Sequence, residues 1–309
     1  MMNFLRLIRW PNLLIIAATM FLVRYSIVWP GLSPFGPEAI TPMPLFILLV
    51  GAFMLIAAAG YIINDLCDTD VDSINKPDKM LIGKTISFRN ANSLYLILNG
   101  FVVLIAVFLG FKLQSWRLTL ILLMMIGLLY FYSRRYKRMN LIGNIVVAVA
   151  SSMSLIIVWL TDFFYLSKRE GLFEEASVSF PAITALLMAY TMFSFLTSMI
   201  REMVKDVEDI EGDTRYGCQT FPVVAGVGAA RIFLLIMSGI LLVLMSLWQY
   251  NLYLKTFYTA AIVLFSSDCL AVYLIILLAR AKEKQQFHYI SGVVKLLMVS
   301  GLISLFFLT

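Results

Sequence analysis

Long apolar stretches recur along the whole of this 309-residue chain, and they constrain its fold more than any other feature. A transmembrane helix needs roughly 20 mostly apolar residues to cross the hydrocarbon core of a bilayer. Charged residues make up only 14% of the chain, which is too few to coat a soluble domain of this length. The sequence therefore predicts an all-α, polytopic membrane protein with a single domain over residues 1–309. Nine spans are predicted, at about residues 12–30, 43–63, 91–112, 117–133, 141–162, 180–200, 222–248, 254–280 and 288–308.

The residues that commonly bind transition metals are scarce. The three cysteines, Cys67, Cys218 and Cys269, lie far apart, and no two have the spacing of a metal site. A single histidine, His288, excludes a multi-histidine site within one chain. A metal in this protein would therefore be held by oxygen atoms.

Basic residues are concentrated in alternate loops. The N-terminus and the loops near 64–90, 134–140, 201–221 and 280–287 carry sixteen lysines and arginines, whereas the opposite loops carry five. The positive-inside rule places the first set in the cytoplasm, so the N-terminus is predicted inside and the C-terminus outside. The net charge of +6 then reflects topology and affinity for membrane lipid or a diphosphate. No basic patch outside the membrane is large enough to suggest a nucleic-acid partner.

Acidic residues form two clusters with the same spacing. Five of the eighteen lie in 65–78 and six in 202–213, both on the predicted cytoplasmic side. Both clusters read D-x-x-D-x-x-x-D and are offset by 141 residues. On a continuous helix, positions i, i+3 and i+7 share one face. The clusters therefore predict two triads of carboxylates: Asp65, Asp68 and Asp72, and Asp206, Asp209 and Asp213.

Three like charges on one face repel each other unless a cation lies among them. Carboxylate oxygens select hard ions such as Mg²⁺ or Ca²⁺, and Mg²⁺ is commonly shared between a few carboxylates and substrate phosphates. Two facing triads would bind two or more Mg²⁺ ions and clamp one diphosphate. A solvated acidic loop is the usual interpretation of one charge run. Two matched runs in equivalent loops favour a metal–diphosphate site, and they hint at an internal duplication.

These motifs resemble those of the UbiA-type intramembrane prenyltransferase family. The resemblance rests on Asn64-Asp65-x-x-Asp68-x-x-x-Asp72 followed by Asn75-x-Pro77, on Lys205-Asp206-x-x-Asp209-x-x-x-Asp213, and on Tyr132-Ser133, Lys137 and Leu141-Ile142-Gly143-Asn144. It implies nine helices in a ring around a lipid-open cavity, with the motif loops 64–90 and 201–221 at its cytoplasmic mouth. It also implies transfer of a polyprenyl group from its diphosphate to a lipophilic acceptor, through an allylic cation.

The acceptor is predicted from the residues around the second motif. Many aromatic-substrate members of the family have tyrosine where this chain has Arg201, and the string from Arg201 to Asp213 is more similar to the branch that alkylates geranylgeranylglyceryl phosphate. A glyceryl phosphate ether lipid is therefore the favoured acceptor, and an aromatic acceptor of quinone-type biosynthesis is the alternative. A divalent-cation transporter is the rival from another class, although transport sites usually lie nearer the bilayer midplane.

Several polar residues are candidates for binding the diphosphate beside the metal. Arg201 and Lys205 lie one helical turn apart before Asp206, although they would also serve as counter-ions for Glu202 and Asp209. The other candidates are Asn12, Asn64, Lys79, Lys137 and Asn144, of which the lysines would also act as topology signals and the asparagines at 12 and 144 as helix caps. Within the spans, Arg24 and Asp268 are predicted to form an ion pair at similar depth.

Overall fold

The computed structural model describes residues 2–75, 78 and 80–308, and in this part of the chain helices and turns account for the fold. One isolated bridge, between Ile82 and Ile86, is the β-type pairing found there. The α-helices are α1 Met2–Leu7, α2 Trp10–Val23, α3 Trp29–Leu32, α4 Met43–Cys67, α5 Thr69–Asn75, α6 Phe88–Lys112, α7 Trp116–Arg134, α8 Ile142–Leu166, α9 Glu170–Ala176, α10 Phe180–Glu208, α11 Ile210–Arg215, α12 Phe221–Leu254, α13 Tyr258–Arg280 and α14 Lys284–Leu305.

Nine helical segments of the described chain are long and apolar enough to cross a membrane, which confirms the predicted fold class. They are Trp10–Phe35, Pro37–Cys67, Phe88–Lys112, Trp116–Arg134, Ile142–Leu166, Glu170–Glu208, Phe221–Leu254, Tyr258–Arg280 and Lys284–Leu305. The sixth is the longest, at 39 residues, because the short helix α9 precedes α10 within it. Hydropathy predicts these spans because each backbone polar group in lipid must be satisfied within its own helix.

The chain divides into two compact units, residues 1–135 with 154–185 and residues 136–153 with 186–309. In the first unit, α4 packs against α2, α6 and α7. In the second, α13 packs against both α12 and α14, and their buried side chains share a core with the end of α10. The single-domain organisation over residues 1–309 remains a prediction.

Unusual backbone conformations recur at matched places in the two units. Arg9 (φ 52°) precedes α2, and Leu141 (φ 55°) precedes α8. Gln114 (φ 51°) connects α6 to α7, and Thr256 (φ 67°) connects α12 to α13. Residues other than glycine seldom adopt this left-handed conformation, because their Cβ crowds the following carbonyl. Its repetition at equivalent connections supports the internal duplication that the matched motifs suggest.

The first span is locally irregular. Residues Arg24–Val28 form a π-turn, in which the N–H of Trp29 bonds to the carbonyl of Arg24. Pro30 follows, and its ring clashes with the carbonyl four residues earlier while it lacks an N–H of its own. The wider turn relieves that clash.

Arg24 lies buried in the first unit and does not pair with Asp268 as predicted. Its Nη2 donates to the carbonyl of Thr41 at 2.5 Å, and its guanidinium lies 4.4 Å from the ring centre of Phe46. Its charge partner is Asp162, with 4.0 Å between Nη1 and Oδ2. The predicted Arg24–Asp268 pair was therefore wrong, because similar depth along two spans does not determine which helices are neighbours.

Candidate active site

Each acidic motif has the same interruption at its second aspartate. Helix α4 ends at Cys67, Asp68 has φ −101° and ψ 3°, and α5 begins at the next residue. Helix α10 ends at Glu208, Asp209 has φ −94° and ψ 5°, and α11 begins at the next residue. The continuous helical face assumed from the i, i+3, i+7 spacing is therefore wrong. The first and third carboxylates of each triad are carried by separate helices.

The first triad borders a cavity of about 480 Å³ in the first unit. Asp65 and Asp72 both line it, whereas Asp68 is buried with 4% of its surface exposed. Two arginines and three aspartates give the lining a formal charge of −1. Its residues are Arg6, Arg9, Asp65, Asp72, Asp78, Met80 and Leu81. Arg6 and Arg9 of the N-terminal segment thus lie beside the first motif. The sequence predicted only a topology signal for this segment.

A chain of polar contacts connects this segment to Asp65. The Nη2 of Arg9 lies 2.7 Å from Oδ1 of Asp65, and its guanidinium lies 4.7 Å from the ring centre of Tyr61. The amide of Asn12 donates to the Tyr61 hydroxyl at 3.2 Å. Asn12 and Arg9 therefore both contact Tyr61, which lies one turn before Asp65.

Two other predicted ligands belong to this region. Asn64 is half-buried, and its carbonyl accepts the N–H of Asp68 at 3.0 Å, so the hydrogen bonding of α4 continues up to Asp68. Lys79 lies outside the described residues. The roles of both in binding a diphosphate remain predictions.

The second triad is supported by hydrogen bonds within the second unit. The amide of Asn144, which is 5% exposed, donates to Oδ2 of Asp206 at 2.7 Å. The hydroxyl of Thr220 donates to Oδ2 of Asp213 at 3.2 Å. Asp206 and Asp213 also interact electrostatically. The sequence predicted Asn144 as a site residue, and the structure shows that it contacts the first carboxylate of this motif.

A buried carboxylate, Glu202, organises the basic residues beside the second triad. Nη1 of Arg201 lies 2.7 Å from one Glu202 oxygen, and Nζ of Lys205 lies 3.0 Å from the other. Lys137 also interacts electrostatically with Glu202. Arg201 and Lys205 are thus counter-ions of Glu202, as predicted. Together with Lys137, three cations interact with this one carboxylate.

Gly143 allows the turn that carries Lys137 to approach helix α8. A Cβ at this position would lie 2.9 Å from the carbonyl oxygen of Tyr136 and 3.0 Å from Cα of Lys137. Both distances are shorter than an ordinary contact with a methyl group. The glycine in the string from Leu141 to Asn144 therefore has a steric reason, which is to place Lys137 close to the start of α8.

The donor groups suit a magnesium–diphosphate site better than a metal site made by protein alone. Among the described residues, no three histidine, cysteine or acidic side chains form a group that could hold a metal ion. Asp65 and Asp72 line the same cavity, and the charges of Asp206 and Asp213 interact with each other. Mg²⁺ typically takes one or two carboxylates and completes its shell with waters and substrate phosphates. The residues therefore fit Mg²⁺ that arrives with a phosphate ligand.

Comparison with known proteins identifies the family. Residues 17–298 match the model of the UbiA prenyltransferase family. The chain belongs to this family. It is also 33% identical over 234 residues to the digeranylgeranylglyceryl phosphate synthase of Sulfolobus acidocaldarius, covering 76% of each chain. The synthase of the same name from Methanosphaera stadtmanae is 26% identical over 260 residues, 83% of this chain and 86% of its own. The protein is a prenyltransferase, and its predicted resemblance to this branch is confirmed.

Solved structures of the family share the fold. A structure of digeranylgeranylglyceryl phosphate synthase matches 98% of this chain and 96% of its own, with a TM-score of 0.61 and 21% identity. A UbiA homologue from Archaeoglobus fulgidus bound to GPP and Mg²⁺ matches 98% of this chain and 99% of its own, with a TM-score of 0.57 and 19% identity. These matches support an integral, multi-pass membrane protein and the use of Mg²⁺ in the family.

Sequence reasoning missed three residues of the site, Arg6, Arg9 and Thr220, and it named Glu202 only as a counter-ion. The arginines had been assigned to topology, and nothing in their spacing points to Asp65, 56 residues after Arg9. Glu202 carried a signal, because it lies three residues before Lys205, at helical contact spacing. Thr220 follows Asp213 by seven residues, but only the turn between α11 and α12 brings them together.

Proposed function

We propose that this prenyltransferase transfers a geranylgeranyl-like group from its diphosphate to the free hydroxyl of a glyceryl phosphate ether lipid, with two or more Mg²⁺ ions. The observation that supports it best is the matched pair of interrupted acidic motifs, each with a cation beside its carboxylates. Arg9 contacts the first motif, and Arg201 and Lys205 lie beside the second. Such alternation of carboxylate and cation suits a substrate that brings metal and phosphate together.

The basic residues of the second unit are assigned to the diphosphate. Glu202 restrains Arg201 and Lys205 on one end of α10. A guanidinium has five N–H donors, so a bond to Glu202 does not exhaust those of Arg201. Lys137 lies close enough to act on the same carboxylate. Holding these cations in place before substrate arrives reduces the conformational entropy lost on binding.

Asp65 and Asp72 are assigned to metal binding in the first unit, and Asp206, Asp209 and Asp213 are assigned to it in the second. Bound Mg²⁺ would neutralise the charge that develops on the departing diphosphate. Asn144 and Thr220 keep the oxygens of Asp206 and Asp213 oriented through their hydrogen bonds. Asp68 is also assigned to metal binding in the first unit, although it is the most buried carboxylate of its triad.

The proposed reaction exchanges one carbon–oxygen bond for another. The bond between the first prenyl carbon and the diphosphate breaks, and its electron pair leaves with the diphosphate. The acceptor oxygen forms a bond to that carbon, and the hydroxyl proton passes to solvent or to the released diphosphate. The chain's own residues bind and orient the diphosphate, while the apolar spans keep water from the cation.

A glyceryl phosphate acceptor is favoured because of Arg201 and because of the relatives. The Sulfolobus and Methanosphaera proteins are named for making digeranylgeranylglyceryl phosphate. A guanidinium at position 201 suits an acceptor that carries its own phosphate. The motifs and the N-terminus are assigned to the cytoplasmic side and the C-terminus to the other, because basic residues are concentrated in the motif loops.

The test is a competition between acceptors. Purified protein in lipid receives labelled geranylgeranyl diphosphate with geranylgeranylglyceryl phosphate, hydroxybenzoate and a naphthoate, with and without EDTA. We expect labelled ether lipid, its loss with EDTA and its recovery with Mg²⁺, and the variant Asp206→Asn serves as the inactive control.

Prenylated aromatic product without ether lipid would refute the proposed acceptor. Activity that survives EDTA would refute the metal. Mg²⁺ flux across liposomes without prenyl transfer would instead favour a transporter.

A further inference from the structure

The first aspartates of the two motifs have different partners. Asp65 contacts the guanidinium of Arg9 at 2.7 Å, whereas its counterpart Asp206 accepts from the neutral amide of Asn144 at 2.7 Å. Either contact is short enough to orient a carboxylate. The donor to Asp65 is a charged guanidinium and the donor to Asp206 is a neutral amide, so the two hydrogen bonds differ in charge and not in orientation.

Backbone structure does not explain why position 9 is an arginine. Arg9 adopts φ 52° and ψ 50° between α1 and α2, and its counterpart Leu141 adopts φ 55° before α8. Leucine therefore fulfils the same backbone role in the second unit. The segment is anchored independently of the guanidinium, because Leu7 is fully buried against Ile62 and Ile82. The arginine at position 9 requires an explanation from its side chain.

The surroundings of Arg9 allow its guanidinium to move. Its side chain is 40% exposed and borders the cavity. The guanidinium could therefore move away from Asp65 without leaving a gap in the hydrophobic core. The cavity lining has a formal charge of −1 in the presence of Arg9, and three of its residues are carboxylates. A divalent cation entering this space would compete with Arg9 for Asp65, and a diphosphate would offer the displaced guanidinium a new bidentate partner.

We propose that Arg9 is the counter-ion of Asp65 in the metal-free enzyme and becomes a diphosphate ligand when metal and substrate load. The inference rests on the proposed function, because it assigns Asp65 to the metal. Without metal, Arg9 compensates the charge of Asp65. With metal and substrate, Asp65 would bind the metal and the guanidinium of Arg9 would bind a phosphate oxygen. Arg9 thereby couples metal binding to diphosphate binding.

The test compares Arg9→Gln with Arg6→Gln, which removes the same formal charge from the same cavity lining. Mn²⁺ binding to the full-length protein is measured by electron paramagnetic resonance, without substrate. Loss of a charge-assisted hydrogen bond that competes with the metal should tighten Mn²⁺ binding about tenfold in Arg9→Gln. Arg6→Gln should change it by less than about threefold. With metal present, Arg9→Gln should bind a non-hydrolysable prenyl diphosphate about tenfold more weakly.

Unchanged or weaker Mn²⁺ binding in Arg9→Gln, or equal effects in both variants, would refute the exchange. If Arg9→Gln does not fold, Arg9→Lys replaces it. Lysine keeps the charge but not the bidentate geometry, so diphosphate binding should weaken; unchanged binding would refute the assignment. A wild-type protein that binds neither Mn²⁺ nor the analogue would refute the proposed function itself, which separates the two failures.

Discussion

Asp162→Asn should destabilise the protein by about 3 kcal/mol, because it leaves Arg24 as a buried charge without a counter-ion. The side chains of Arg24 and Asp162 are 3% and 1% exposed, so water cannot replace the lost partner. Removing one member of a buried pair typically costs about 3–5 kcal/mol. The lower end applies here, because the charged atoms lie 4.0 Å apart and Arg24 keeps its bond to Thr41. The asparagine oxygen would still accept the N–H of Thr41, which bonds to Asp162 at 2.6 Å.

A double-mutant cycle tests this argument. The free energy of unfolding is measured in mixed micelles for Asp162→Asn, Arg24→Met and the double variant. The double variant carries no unpaired charge, so it should lose about 2 kcal/mol less than the sum of the single losses. Thr161→Val is the control, because its hydroxyl bonds only within its own helix, to Ile157, and its loss should cost less than about 1 kcal/mol. Additive losses within about 0.5 kcal/mol would show that the pair contributes nothing.

Three further predictions concern the second motif. Asn144→Leu should lower kcat/KM about 10- to 100-fold in the labelled-diphosphate assay, because it removes the 2.7 Å hydrogen bond to Asp206; wild-type activity would contradict that role. Gly143→Ala should raise KM for the diphosphate several-fold, because its Cβ would displace the backbone of Lys137; an unchanged KM would show that the turn is not part of the site. Glu202→Gln should lower the free energy of unfolding by about 2 kcal/mol, because two cations lose their charged acceptor, and an unchanged thermal midpoint would refute this.

The matched interruption at Asp68 and Asp209 shows which features of the motifs the local sequence predicts and which it does not. The D-x-x-D-x-x-x-D spacing identified both triads, because spacing along a chain is a property of the sequence itself. It did not predict that each helix ends between the first and third aspartates. A helix end depends on which groups satisfy its last carbonyls, and a motif pattern does not contain that information.

The partners of charged residues were the least predictable feature. Arg24 was assigned to Asp268 on equal depth, but it pairs with Asp162. Arg9 was assigned to topology, but it contacts Asp65. The contact between Glu202 and Lys205 was predictable, because they lie three residues apart on one helix, where contact spacing is known in advance.

The sequence by itself determined the nine spans of the described chain, the two acidic triads and the resemblance to the prenyltransferase family. The spans and the triads follow from hydropathy or spacing within a short window, and the resemblance rests on the motif residues themselves. Only the tertiary structure decided that Asn144 supports Asp206, that Thr220 bonds to Asp213 and that Arg9 neutralises Asp65. The physical reason is that lipid imposes the same requirement on every span, whereas the choice of neighbour depends on packing between residues far apart in the chain.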